Sequence, residues 1–260
     1  MNSNTQTVSR LLLEVIPDIP LIEAGAPLSR IIFDAITAAG LKLVDGDVLV
    51  VAQKIVSKAE GRLVRLDAVA PSEEARSLAA ETEKDSAVCQ LILDESAAVL
   101  RKKPGVIIVR HRLGHVGANA GIDQSNIEHG DGEAALLLPV DPDGSALRLC
   151  NDLSAAAGCK VGIIISDSMN RPWRLGTVGG AIGCAGVQVL DDLRGGQDLF
   201  GRELKVAMVN RADSLAATAT LLMGETIEGT PAVLIRGLPD DSSTGTADEL
   251  IRPLEDDLFK

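Results

Sequence analysis

The chain has 260 residues, a net charge of −12 and 46% hydrophobic residues, so it is a globular protein with a sizeable core and not a disordered one. Aromatic residues make up 2% and tyrosine is absent, which excludes the repeated stacking platforms of single-strand nucleic-acid binders. The negative charge also makes nucleic acid and anionic membrane poor partners, so an anionic substrate would need a local cationic patch or a metal.

The first ten residues, MNSNTQTVSR, lack a basic region followed by a long apolar run, and no apolar run reaches the ~18 residues of a membrane span. Cys89, Cys150, Cys159 and Cys184 form no CxxC pair and read as small buried residues in a reducing compartment. The expectation is a standalone cytoplasmic protein.

In chain order, Leu11 to Ile16 reads as a strand, and Leu28 to Ala39 as a helix closed by Gly40. Asp47 to Ala52 is a continuous apolar strand, covered on both faces. The run Gln53 to Arg65 carries Lys54, Lys58, Arg62 and Arg65, either as a solvated face or as the cationic wall of a phosphate site. Ser72 to Thr82, capped by Ser72, and Asp85 to Leu100 read as helices. Val106 to Arg110 and Val116 to Asn119 read as a hairpin around Leu113-Gly114. His111 and His115 flank that turn without an HExxH pattern, which argues against zinc, and His129 reads as solvated.

Asp123 follows the hairpin among amides. Leu136 to Pro139 is short and buried, Asp141 to Gly144 is a turn, and Ser145 to Ala157 is a helix closed by Gly158. Val161 to Ile165 is a buried strand ending in Ser166, Asp167 and Ser168. Arg171, Trp173 and Arg174 follow, then a glycine-rich segment to Gly186 that serves either packing or close backbone approach to a phosphate. Asp191 to Glu203 is turn-rich, Leu204 to Val209 a strand, Asp213 to Met223 a buried helix and Ala232 to Ile235 a last strand. Thr246 to Glu249 fits a capping box, with Pro253 interrupting the helix it would start. Strands and helices mix without strict alternation, so the fold class expected is α+β, with no linker to separate domains.

No Walker loop, dinucleotide fingerprint, GxSxG elbow or kinase set is present. What remains is three acidic loops, at Asp123, Asp167 and Glu225, beside a cationic run. Oxygen donors without a Cys/His set favour Mg²⁺ or Mn²⁺ over zinc.

Collinear blocks carry a family resemblance: IPLI (Ile19 to Ile22), VSKAEGR (Val56 to Arg62), NAGIDQSN (Asn119 to Asn126), LLLPVDPDGSA (Leu136 to Ala146), ISDSMNR (Ile165 to Arg171), GTVGGAIG (Gly176 to Gly183), DLFGREL (Asp198 to Leu204), LLMGE and EGTPAVLIRG (Leu221 to Gly237). Through them the sequence resembles the coenzyme F420-0:L-glutamate ligases, which add γ-linked glutamate to a deazaflavin coenzyme using GTP. The resemblance implies GTP contacts at Ile19, Pro20, Leu21, Ile22, Gln53, Lys54, Lys58, Asn126, Met223, Gly224, Glu225, Thr226, Ile227, Glu228, Gly229 and Thr230. It implies divalent-metal ligands at Asp123, Asp167, Ser168 and Glu225, and catalytic roles for Lys58 and Asp167. It further implies two Mg²⁺ or Mn²⁺ ions, with K⁺ a candidate monovalent ion, an acyl-phosphate intermediate, and a homodimer. The fold it implies is α+β with two intertwined lobes of mixed and antiparallel sheet, residues 1–260 forming one catalytic unit. The chain departs from the family's archaeal pattern at three places. Ser168 replaces threonine, Gln53-Lys54 replaces a hydroxyl pair, and Thr226-Ile227-Glu228-Gly229 replaces a glycine-rich loop. The alternatives are an amide ligase using ATP or GTP on another acid, and a non-catalytic nucleotide- and metal-binding homologue.

Overall fold

The computed structural model describes residues 10–239 and 245–258. The first nine residues and Lys260, on which the expectations about a leader and a standalone chain rested in part, lie outside them. The elements in order are β1 (Leu12–Val15), α1 (Leu28–Ala38), β2 (Asp47–Ala52), α2 (Gln53–Ala59), β3 (Leu63–Arg65), α3 (Glu73–Thr82), α4 (Ser86–Asp94), β4 (Ser96–Lys103), β5 (Val106–His111), β6 (Val116–Ala118), β7 (Ala134–Leu136), α5 (Pro142–Ala157), β8 (Val161–Met169), β9 (Val178–Ala185), β10 (Leu190–Asp192), β11 (Met208–Asn210), α6 (Arg211–Met223) and β12 (Ala232–Arg236). The class is α+β, as the sequence indicates.

A five-stranded sheet of order β1-β12-β2-β8-β9 forms the centre. Only β2 and β8 pair in parallel; every other pairing in it is antiparallel. Strand geometry sends alternate side chains to opposite faces. Leu49, Val51, Ile163 and Ile165 pack with α1 and α5 residues on one face, while Val48, Val50, Ile164, Val233 and Ile235 pack with α6 on the other. This double cover is why DVLVVA and VGIII read as unbroken apolar runs. In α1, Leu28, Ile32, Ala35 and Ile36 are buried at helical spacing.

Residues between α2 and α5 build a separate set of layers. These are the three-stranded sheet β4-β5-β6 with α3 and α4, around a core of Leu78, Val88, Ile92, Ile107 and Val109, and the pair β3–β7, which packs Val64 and Ala135 with Leu91 of α4. Ser72 caps α3 by accepting from Ala75 N–H, and Asp85 caps α4.

Four sequence expectations need correction. The helix expected to Leu100 stops at Asp94, because Ser96–Lys103 pairs antiparallel with β5. Its Ala/Leu composition suits a helix, and the sheet edge overrides that preference. Asp141 to Gly144 is not a free turn but the N-terminus of α5, with Asp141 as cap and Pro142 in the first turn, where proline's missing donor costs nothing. The strand expected at Leu204 to Val209 is confined to Met208–Asn210. His129 is half-buried, accepts from Ala134 N–H at 3.2 Å and contacts Gln124 O at 3.0 Å, so it fastens a loop instead of being solvated.

The start of β2 is locked electrostatically. Asp47 is fully buried, and Arg236 on β12 donates to both its oxygens at 2.7 Å. Removing the guanidinium leaves a buried carboxylate unpaired, so Arg236→Ala is expected to lower unfolding free energy by about 3–5 kcal/mol in urea titration.

His111 and His115 stack, with ring centroids 4.9 Å apart, and His111 Nε2 lies 3.6 Å from Glu95 Oε2. Burial first and His111 second push His115 down to about 4. His111 first and Arg62 hold Glu95 below its ordinary value against burial. Both native values lie below the unfolded ones, so the native state binds fewer protons and this cluster's stabilisation is lost as pH falls. Between pH 7 and 4.5, roughly spanning the free-histidine value, the urea midpoint of His115→Gln is expected to fall less than that of wild type.

Candidate active site

The parallel register sets Ala52 opposite Ser166, so β2 and β8 deliver their next residues to the same end of the sheet. Chain from β2 turns directly into α2, placing Gln53 and Lys54 in its first turn, while β8 continues through Asp167 and Ser168. A third contributor comes from the excursion: Asp123 and Leu136 exchange backbone hydrogen bonds of 3.0 and 2.8 Å. The fourth is the loop Gly224 to Thr230 after α6.

These four segments are tied together by side chains. Gln53, only 2% exposed, donates to Asp123 Oδ2 at 3.2 Å and accepts from the Ser57 hydroxyl at 2.9 Å. Lys54 Nζ lies 3.3 Å from the same Asp123 oxygen and 3.4 Å from both the carbonyl and hydroxyl oxygens of Ser125. Lys58 donates to the Asn126 carbonyl at 2.7 Å, and Asn126 donates its side-chain amide to Thr226 O at 3.0 Å. The Ser168 hydroxyl sits 2.7 and 2.8 Å from the two Glu225 carboxylate oxygens. Backbone at Asn119, Ala120 and Asn126 is left-handed, with φ of 52°, 56° and 55°, so the segment bearing Asp123 is held in conformations that side chains disfavour.

Burial first, then Asp123 and, more weakly, Glu225, push the Asp167 carboxyl up to about 7. Burial also raises Asp123, with Lys54 opposing and Glu225 adding to the rise. Lys58 is lowered by burial and then by the charge of Lys54. The site therefore concentrates negative charge that its lysines only partly offset.

The structure gathers Gln53, Lys54, Lys58, Asn126, Asp123, Asp167, Ser168, Glu225 and Thr226 into one linked patch. Ser57 and Ser125 join it unannounced, because a lone serine carries no sequence signal. Ile19, Pro20, Leu21 and Ile22 stand apart. Ile22 is in the core, Leu21 is exposed, and among the described residues no hydrogen bond links the four to the carboxylates. Their chain comes near α2 through Gly25 N–H, which donates to Ala59 O at 2.8 Å. Met223 is buried at the end of α6 and its carbonyl accepts from the Thr230 hydroxyl at 3.0 Å. Gly224 is needed where it stands: its φ is +70°, and a Cβ there would collide with the Glu228 side chain. Glu228 in turn accepts from Thr226 N–H at 2.8 Å, so it fastens its own loop, while Ile227 and Gly229 are exposed.

Two expectations are revised here. The cationic run splits: Lys54 and Lys58 face the carboxylate patch, but Arg62 pairs with Glu95 at 3.0 Å and Arg65 binds the His129 and Gly132 carbonyls. The glycine-rich segment is strand β9 and takes the packing role: a Cβ on Gly183 would strike the Pro142 carbonyl of α5, and one on Gly179 the Ala216 carbonyl of α6.

Among the described residues no three His, Cys, Asp or Glu side chains form a ready-made metal cage. The donors nevertheless fit a hard divalent ion. They are carboxylates and a hydroxyl, their mutual repulsion calls for positive charge, and Mg²⁺ commonly uses one or two carboxylates with waters and substrate phosphates instead of an all-protein cage.

Comparison with known proteins gives one answer. Residues 17–237 match the family model described as F420-0:Gamma-glutamyl ligase. A coenzyme F420:L-glutamate ligase of Methanothermobacter thermautotrophicus is 44% identical over 243 residues, covering 93% of this chain and 95% of that protein. Proteins of the same description from Methanocaldococcus jannaschii and Archaeoglobus fulgidus are 44% and 43% identical, covering 83% and 95% of this chain and 85% and 96% of their own lengths. With its three acidic segments and two lysines gathered at one end of the sheet, this chain belongs to the F420-0:gamma-glutamyl ligase family.

Proposed function

We propose that this protein is a cytoplasmic, GTP-dependent ligase that adds L-glutamate in γ-linkage to coenzyme F420-0. The observation that carries the reading is the convergence of Asp123, Asp167 and Glu225 beside Lys54 and Lys58. A carboxylate and an amine do not condense in water, so the acceptor carboxyl is first phosphorylated by GTP. The glutamate amine then attacks the acyl phosphate, the C–N bond forms as the C–O bond to phosphate breaks, and phosphate and GDP leave.

Asp123, Asp167, Ser168 and Glu225 would hold two Mg²⁺ or Mn²⁺ ions, with K⁺ as a further candidate. Divalent ions there would supply Lewis-acid stabilisation of phosphoryl oxygens. Lys58 and Lys54 add fixed positive charge to the transferring phosphoryl group. Gln53 orients Asp123 through its amide, and Asn126 ties the Asp123 segment to the Glu225 loop. The loop from Met223 to Thr230, kept in shape by Glu228, and the segment Ile19 to Ile22 complete the nucleotide surface. Residues 1–260 act as one catalytic unit. Two interleaved lobes are part of this reading, supported by a central sheet that draws strands from both sides of the excursion holding the second core.

Incubation with GTP, Mn²⁺ and L-glutamate, with and without F420-0, is expected to release phosphate only with the coenzyme, and mass spectrometry to show added glutamyl units. Asp167→Asn is expected to lower turnover by orders of magnitude with unchanged circular dichroism. Wild-type turnover in that variant would remove Asp167 from the chemistry, and phosphate release with a different acid but not with F420-0 would reassign the acceptor.

The protein is also proposed to be a homodimer. Leu175 and Phe200 are 98% and 93% exposed, Leu175 in the β8–β9 loop that also exposes Trp173, and Phe200 in the β10–β11 loop that also exposes Leu199 and Val206. Such a concentration of apolar side chains marks an association surface, and a second copy is the partner the family resemblance implies. Phe200→Asp is expected to halve the mass measured by light scattering; a dimeric Phe200→Asp would place the interface elsewhere.

A further inference from the structure

A cavity of about 240 Å³ lies where the β5–β6 hairpin meets the β8–β9 edge of the large sheet and the C-terminal turns. Its charged lining is balanced: Arg110 and Arg252, with Asp213 and Asp257. Arg110 Nη2 is buried without a hydrogen bond, 3.8 Å from Asp257 Oδ2. Arg252 is exposed and makes no ion pair among the described residues. Asp213 accepts from Ala181 N–H at 2.8 Å and from the Asn210 amide, so its carboxylate is held in place. His115 adds a ring that is neutral near pH 7. A buried guanidinium nitrogen with no acceptor is costly and points to an acceptor that arrives with a ligand.

Size and charge narrow that ligand. At about 240 Å³ the cavity falls below the ~300–1,000 Å³ of pockets for drug-sized ligands, which suits a small ligand. Two guanidinium groups match two carboxylates, and two carboxylates match one amine. An acidic amino acid carries that set of groups on a small frame. Position points the same way. Met169, in the cavity wall, stands two residues beyond Asp167 on β8, and Ala181, also in the wall, is paired with Ser166. Cavity and carboxylate patch thus share strand β8.

We propose that this cavity is the L-glutamate subsite, with Arg252 and Arg110 binding the two carboxylates of the incoming amino acid. The assignment rests on the ligase reading above. Clamping both carboxylates fixes the orientation of the amine, which faces the Asp213 and Asp257 side of the cavity.

The test is steady-state kinetics of wild type, Arg252→Ala and Arg252→Lys with GTP, Mn²⁺ and F420-0, varying L-glutamate. Arg252→Ala is expected to raise KM for glutamate about tenfold or more, equivalent to ~1.4 kcal/mol or above, while KM for GTP and F420-0 stays the same. Arg252→Lys should recover part of the loss. An active Arg252→Ala with unchanged glutamate KM overturns the assignment. If wild type forms no product, the ligase reading fails first, and calorimetric titration with L-glutamate then decides the cavity. Binding that is lost in Arg252→Ala upholds it; no binding to wild type, or equal binding to both, overturns it.

Discussion

The parallel pairing of β2 with β8 is the constraint on which the site depends. In an otherwise antiparallel sheet, it brings two strand C-termini to one end, with Ala52 beside Ser166. Ligands of mixed and parallel sheets gather at such carboxyl ends, where the chain leaves the sheet in different directions. Here β2 leaves into α2 with Gln53 and Lys54, and β8 presents Asp167 and Ser168. The buried Asp47–Arg236 pair fixes the other end of β2 against β12, so the register that aligns the site is anchored away from it.

The site is electrostatically incomplete by design of its neighbours. Burial raises the proton affinity of Asp123 and Asp167, Glu225 adds to the rise at both and Asp123 to that at Asp167, and Lys54 offsets only part of it. Such an arrangement costs folding free energy and gains it back only when positive charge arrives. Divalent ions with a phosphate-bearing substrate supply charges of both signs, which fits a patch where two lysines stand beside three carboxylates. The Ser168 hydroxyl lies against both Glu225 carboxylate oxygens, so two of the proposed donors face one another.

Some of the site was legible and some was not. Asp167 was visible because a buried strand ending in a carboxylate is a strong local pattern, and Asp123 and Glu225 because each follows an apolar element in a chain otherwise short of motifs. Lys54 and Lys58 were separable from Arg62 and Arg65 only in three dimensions. All four sit in one basic run, but α2 ends at Ala59 and the chain turns through Gly61 into β3, which sends the arginines to Glu95 and to the His129 loop. The glycine-rich stretch looked equally suited to phosphate and to packing. Helices α5 and α6, far off in sequence, press on β9 from its two faces and decide for packing.

The sequence by itself determined the α+β class, the buried strands β2, β8 and β12, the capped helices and, through collinear blocks, the family. Those depend on local periodicity and on side-chain chemistry, which a chain carries at every position. Only the tertiary structure decided that Ser96–Lys103 is a strand, that Ser57 and Ser125 support the patch, and that Arg110 and Arg252 share a cavity beside β8. These are long-range facts. A strand at a sheet edge is set by its partner's backbone, and a cavity is set by elements separated by more than a hundred residues, which no local pattern encodes.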